Sequence, residues 1–251
     1  MPNRPFRFPA TVAMVLALAG CATGSPAVDD LLPADAVLLG EQHDEPAHQR
    51  RQREVVERLS SRGRLAAVAL EMAEQGASTA GLPRQADESM VRAALQWNEA
   101  GWPWQAYGPT IMAAVAAGVP VLGANLPRER MRAAMGDASL DALLDAGALA
   151  AQREAIRAGH CDLLPAAQLG PMVRVQIARD RAMARTIAGA AVPGKVVVLL
   201  AGAGHVDATL GVPRHLPPAL QVRPVVLERA GPAKRDYCTE LRQKMAPPPA
   251  S

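Results

Sequence analysis

The chain has 251 residues, 49% of them apolar, with 27 Lys plus Arg against 24 Asp plus Glu. That length carries one large domain or two small ones, and the apolar share supports a buried core. Setting aside Arg4 and Arg7 of the leader leaves 25 cations against 24 acids, which removes any charge argument for nucleic acid as a partner.

Residues 1–20 read as a lipoprotein signal peptide. Arg4 and Arg7 make a basic start, Ala10 to Ala19 is uncharged and apolar, and Leu18-Ala19-Gly20-Cys21 follows. The apolar stretch is shorter than the ~20 residues of a permanent span. The mature 231-residue chain is expected to begin at Cys21, with acyl chains on that residue anchoring it to a membrane. Ala22, rather than Asp, in the next position points to the outer membrane of a Gram-negative envelope. The alternative is an ordinary secretory signal with an incidental Cys.

Residues 21–34 read as a tether, 35–240 as a single α/β domain, and 241–251 as a disordered tail. Ala36 to Gly40 is the first strand. A helix from Glu45 to Ser60 follows, with Asp44 as its cap and Pro46 in its first turn. Leu65 to Leu70 is the second strand; 75–105 is an insertion with a helix-like stretch over 87–97; Tyr107 to Ala117 is a helix closed by Gly118. Val119 to Ala124 is the third strand, and Pro127 starts an Ala-rich helical part that runs to about 190. Its last helix, from Pro165 to Ala190, keeps apolar residues at helical spacing. Val196 to Ala201 is the fourth strand. Gln221 to Leu227 is a fifth, at an edge because Pro224 interrupts it. Alternating strands and helices imply an α/β fold with a mostly parallel sheet of about five strands, flanking helices and a helical subdomain.

Continuous apolar strands that end in Gly or a polar residue place those residues at the carboxyl edge of the sheet, where open α/β folds bind ligands. Two signatures meet that description: Gly40-Glu41-Gln42-His43 and Gly202-Ala203-Gly204-His205. Glu71 follows the second strand and Asn125 the third. One rim therefore collects Glu41, His43, Glu71, Asn125 and His205. A metal-dependent hydrolase could use His43, Glu71 and His205 to hold a divalent cation, with Glu41 as general base. His48 reads as a surface residue and His215 as solvated; His160 precedes Cys161, which reads as a bridge or buried thiol rather than as half of a Cys-plus-His metal site.

Four of the five Trp and Tyr residues left after the leader lie between Trp97 and Tyr107. Such a cluster suits a flat apolar ligand, or it is a plug packing the insertion onto the sheet. Tyrosinate is a known haem-iron ligand, which makes Tyr107 a candidate. Cys161 and Cys238 form an even pair and suggest a bridge in an oxidising compartment; two unrelated thiols are the alternative.

Several segments together resemble a family. They are Leu38-Leu39-Gly40-Glu41-Gln42-His43-Asp44, Leu70-Glu71-Met72, Trp102-Pro103-Trp104 to Tyr107-Gly108-Pro109, Val121 to Arg128, Gln176 with Arg179-Asp180 and Met183-Ala184, and Gly202-Ala203-Gly204-His205. Their order and content are similar to the ChaN-like haem-binding lipoproteins, within the wider group that includes Tiki metalloproteases and erythromycin-esterase-like enzymes. The resemblance implies a lipid-anchored haem-binding protein in iron or haem acquisition, facing the periplasm or cell surface, and a binding protein rather than an enzyme. It also implies a pair of stacked haems between two monomers with a Tyr on the iron, hence a homodimer, with Tyr107 as the ligand here. Trp102, Trp104, Asn125, Arg128, His43 and His205 then complete the haem site. The metal-dependent hydrolase stands as the alternative, and a non-catalytic lipoprotein that binds another protein as a third reading.

Overall fold

The computed structural model describes residues 26–229, 231 and 236–245. The expected signal peptide, the expected lipidation residue Cys21 and the last six residues lie outside them. The elements run β1 (Ala36–Glu41), α1 (Pro46–Ser61), β2 (Leu65–Glu74), α2 (Glu88–Ala94), α3 (Trp104–Ala116), β3 (Val121–Asn125), α4 (Arg128–Gly136), α5 (Ala146–Gly159), α6 (Ala166–Ala190), β4 (Val196–Gly202), β5 (Val222–Val226) and α7 (Tyr237–Met245).

The five strands form one all-parallel sheet in the order β3-β2-β4-β1-β5. Burial explains the order. β1 is buried along its whole length and β4 along all but its last residue, so both need cover on two faces and sit centrally. β5 carries Pro224 and exposes Val226, and it takes an edge. On one face Val37, Leu39, Val68 and Leu200 pack with Val55, Val56 and Leu59 of α1 and Ile111 of α3. On the other, Leu38 and Leu199 pack with Met183 and Ile187 of α6. A third cluster joins α6 to α4 and α5 through residues such as Ile156, Val173 and Ile177. This is the helical part expected from the sequence, resting on one face of the sheet through α6.

Several boundaries differ from the sequence reading. Glu45, not Asp44, caps α1, accepting a hydrogen bond from the Ala47 N–H, while Asp44 pairs with Arg229 at 2.5 Å. α3 starts at Trp104 instead of Tyr107. Part of the expected tether does not hang free: Val28–Leu31 forms a 3-10 turn whose Val28 and Leu31 are buried in the core. Cys161 and Cys238 are bonded, with Cα atoms 5.5 Å apart.

Two details aim the site. In register, Glu41 of β1 lies opposite Gly202 of β4, and Leu70 of β2 lies opposite Leu200. The pairing of β2 with β3 shifts between Leu70 and Glu74, so the segment holding Glu71 bulges. A bulge re-aims a side chain that a regular strand would send elsewhere. The bulge leaves no room at Gly123, where an added Cβ would stand 2.0 Å from the Glu74 carbonyl oxygen. Gly123→Ala is therefore expected to cost about 1–3 kcal/mol through a forced backbone shift. Denaturant unfolding checks this, and an unchanged midpoint would contradict the close approach.

Candidate functional site

Glu41 ends the buried β1, and its carboxylate takes hydrogen bonds on both oxygens. Oε1 accepts from the Tyr107 hydroxyl at 2.6 Å and from His43 Nδ1 at 2.6 Å. Oε2 accepts from the side-chain amides of Gln49 and Gln52, each at 2.9 Å. Both glutamines lie on the inward face of α1 and are buried there. An acid so engaged is an orienting group; the general-base role expected for Glu41 in a hydrolase does not fit it.

Glu71 is the second buried carboxylate. Arg179 of α6 donates to Oε1 at 2.5 Å, and the Gly202 N–H donates to Oε2 at 2.6 Å. His205 Nε2 lies 3.4 Å from Oε1 and His43 Nε2 lies 3.8 Å from Oε2. Burial alone would raise the Glu71 pKa, but the charges of His205, Arg179 and His43 outweigh it and hold the carboxyl well below the usual range. Arg179 also donates to Asn125 Oδ1 at 2.9 Å, which ties the end of β3 into the same cluster.

His205 sits in the short turn after β4 and is buried. Its Nδ1 donates to Asp180 of α6 at 2.5 Å, with the Gln176 amide 3.0 Å away. Burial would lower its pKa, but two carboxylates, Glu71 and Asp180, outweigh that and raise it to about 9. His205 is therefore an imidazolium at neutral pH, with both nitrogens carrying protons toward acids.

His43 differs from the others in access. Its side chain is 39% exposed, with Nδ1 on Glu41 and its ring edge-on to Trp102 at 4.8 Å. The Glu41 carboxylate overcomes the effect of burial and raises its pKa. One wall of His43 opens on a groove of about 490 Å³ between α1 and α3, lined also by Pro46, Arg50, Arg53, Pro103 and Pro109. That volume lies within the ~300–1,000 Å³ usual for small-molecule sites.

The rim expected from the sequence thus exists: Glu41, His43, Glu71, Asn125 and His205 all converge. Their use differs from expectation. His43, Glu71 and His205 are joined as an ion-pair network, and no metal-holding group of His, Cys, Asp and Glu occurs among the described residues. His205 Nδ1 is spent on Asp180, and both oxygens of Glu71 are already engaged by Arg179 and the Gly202 N–H. Tyr107, expected as an iron ligand, is 1% exposed, with its hydroxyl committed to Glu41. Burial, reinforced by Glu41, pushes its pKa far above the ordinary phenol value and disfavours tyrosinate. The other tyrosine, Tyr237, is 57% exposed at the start of α7. Trp104 is also a correction: it is buried, and its indole N–H donates to Glu88 at 2.9 Å. Trp97 stacks edge-on against it, so this part of the aromatic cluster is the plug. Trp102 stands edge-on to His43 and lines a separate cavity together with Arg128.

Sequence reasoning missed Gln49, Gln52 and His48. His48, expected at the surface, is buried; its Nδ1 accepts the Gln42 N–H at 3.0 Å and its Nε2 donates to the Glu228 carbonyl at 3.1 Å. The available signal was their place on the inward stripe of α1, in step with Val55, Val56 and Leu59. Asp180 and Arg179 appeared only within the family resemblance, without a role. His215 is half-buried between Arg181 and Arg214, where burial and both charges lower its pKa. His160 bonds the Ile156 carbonyl at 2.8 Å.

The all-parallel sheet, with a polar network and an open imidazole at its carboxyl edge, defines a ligand-binding α/β protein of the open-sheet class. A family model described as "Haem-binding uptake, Tiki superfamily, ChaN" matches residues 27–216, and the chain belongs to that family. Among solved structures it is similar to ChaN of Campylobacter jejuni, a structure described as showing cofacial haem binding: 24% identity, TM-score 0.64, covering 82% of this chain and 86% of that one. That likeness establishes the shared fold. The type III effector HopBA1 matches at 16% identity and TM-score 0.38, covering 76% of this chain and 75% of the effector, too distant to carry an argument. No curated protein matches the chain. Family membership supports haem binding and uptake and lends nothing to the divalent-metal alternative.

Proposed function

We propose that this chain is a lipid-anchored haem-binding protein of a bacterial envelope, held through Cys21 and serving haem or iron acquisition. The single observation that carries the binding site is the half-exposed His43 opening on a largely apolar groove. The residues fit the group. Haem needs an apolar slot, an axial ligand and a cation for its carboxylates. Pro46, Pro103 and Pro109 supply walls, and Arg50, with no ionic partner among the described residues, supplies the cation. Glu41 on Nδ1 sets the His43 ring, as carboxylates do behind metal-bound histidines, and leaves Nε2, which is 3.8 Å from Glu71 Oε2 and not hydrogen-bonded to it, as the nitrogen that would hold the iron. On this reading haem is cargo, bound and passed on without covalent change to the porphyrin.

Haem titration of the full chain in detergent, watched by absorbance, tests the assignment. A Soret band should form with wild type and be largely lost in His43→Ala. Tyr107→Phe should retain it, because that hydroxyl faces Glu41 and not the groove. Retention in His43→Ala with loss in Tyr237→Phe would move the iron to the exposed tyrosine and overturn the groove. A pairing of two monomers around stacked haems follows from the family resemblance; light scattering with and without haem tests it.

A further inference from the structure

The two edges of the sheet differ in charge. At the carboxyl edge both signs meet: Arg179 holds Glu71, His205 holds Asp180 and Arg229 holds Asp44. The cations left over there, Arg50 and Arg128, are offset by exposed Glu74, Glu129 and Glu228. The amino edge is built from the segments that lead into the strands. Hydrogen bonds align them, the Val196 N–H donating to the Arg64 carbonyl at 2.7 Å, Asp35 to Gln221 at 2.8 Å and Val68 to Pro120 at 3.0 Å.

Five cations stand along this amino edge. Arg84 packs against Gly118 just before β3, and Arg185 shares a groove with Ala66, Pro120 and Val192. Arg64 leads into β2, Lys195 leads into β4, and Arg223 is the second residue of β5. In strand order they run from one side of the sheet to the other, four spacings of ~4.8 Å each or roughly 19 Å. All five are exposed, and none has a carboxylate partner among the described residues. The acids of this edge are fewer: Asp29 pairs with Arg58 and Arg62, Asp30 accepts from the Ala27 N–H, and Asp35 accepts from the Gln221 N–H. The edge therefore keeps a net positive charge. The turn before Lys195 adds an apolar tip, since Val192 is 47% exposed. An apolar side chain among cations suits a lipid interface, where apolar atoms enter the headgroup region and cations meet anionic lipid.

The chain supplies proximity. Cys21 lies five residues before Pro26, whose carbonyl accepts from Arg51 of α1. Five residues span at most about 18 Å, so an acyl chain on Cys21 holds a bilayer within reach of either edge. Charge then decides which edge turns to it.

We propose that the amino edge of the sheet docks on an anionic phospholipid surface through Arg64, Arg84, Arg185, Lys195 and Arg223, with Val192 entering the headgroup region. The carboxyl edge and its groove then face solution. This docking rests on the lipid-anchor reading for proximity and not on haem.

The test places the full chain carrying Val192→Trp in vesicles of phosphatidylcholine, or of phosphatidylcholine mixed with phosphatidylglycerol. Brominated acyl chains quench tryptophan that lies close to the bilayer, and mass spectrometry of the same preparation reads acylation of Cys21. Trp97, Trp102 and Trp104, at the opposite edge beside His43, are the internal control. The Val192→Trp reporter should be quenched on the phosphatidylglycerol mixture, and the three native tryptophans should not. High salt should remove the quenching. Arg64→Gln, Lys195→Gln and Arg223→Gln should each shift the docked-to-undocked ratio by about fivefold, with circular dichroism checking the fold. If Cys21 carries no acyl chain and the reporter is still quenched on the anionic vesicles alone, the anchor falls and the docking edge stands. If Cys21 is acylated and the reporter is unquenched, or quenched equally on neutral vesicles, the docking edge is overturned and the anchor stands. Quenching of the native tryptophans in place of the reporter likewise overturns it.

Discussion

Glu71→Ala is expected to lower the unfolding free energy by about 3–5 kcal/mol, the usual consequence of removing one partner of a buried ion pair. The carboxylate is buried, and the change strands three donors at once: Arg179 at 2.5 Å, the Gly202 N–H at 2.6 Å and His205 at 3.4 Å. The stranded charges, rather than the lost attraction, dominate the cost. The double variant Glu71→Ala with Arg179→Ala should consequently lose less than the two single variants added together. Acid behaviour should change as well. A carboxyl held below its usual range stabilises the fold above its unfolded pKa near 4.5 and withdraws that support as pH falls. The acid limb of the stability curve should flatten in Glu71→Ala. Urea midpoints from pH 3 to 7 decide this, and additive single and double variants would refute the network.

Raising the pH from 6 to 9.5 is expected to destabilise the wild type by an amount on the order of 3 kcal/mol. The His205 pKa is raised from 6.5 to about 9, so its stabilisation is full below 6.5 and is lost as pH rises through 9. Burial removes the solvent screening that would shrink such a figure at the surface. His43 is also raised and adds a slope of the same sign. In His205→Gln the alkaline decline should shrink to what His43 supplies, on a fold less stable at neutral pH. A wild-type midpoint that stays level across that range would show that His205 is not held as an imidazolium.

The strands were legible because a central parallel strand is apolar on both faces, as Val196 to Ala201 and Ala36 to Leu39 are. Convergence of the rim was legible for a related reason: parallel strands that end together must bring Glu41, Glu71, Asn125 and His205 to one edge. What those groups bond to was not legible. Glu41 is held by residues 8, 11 and 66 positions away, and Glu71 takes Arg179 from a helix 108 residues on. Such partners follow from how α1, α3 and α6 pack, which no local spacing encodes. Tyr107 shows the cost most clearly. Its place in an aromatic run suggested an iron ligand, whereas the helix that carries it turns the hydroxyl inward to an acid. The bulge at Glu71 was equally hidden, since Leu65 to Leu70 reads as a regular strand.

The strand order has a consequence for how the polypeptide acquires its shape. β1, first in sequence, is flanked by β4 and β5, the last two strands. A nascent chain lacking residues beyond 195 offers this fully buried strand no neighbour on either side. Closure of the sheet awaits nearly the entire length and must bridge a large separation along the polypeptide, which slows folding. Shortened versions that end before β4 should accordingly remain unstructured and prone to clump rather than fold in part.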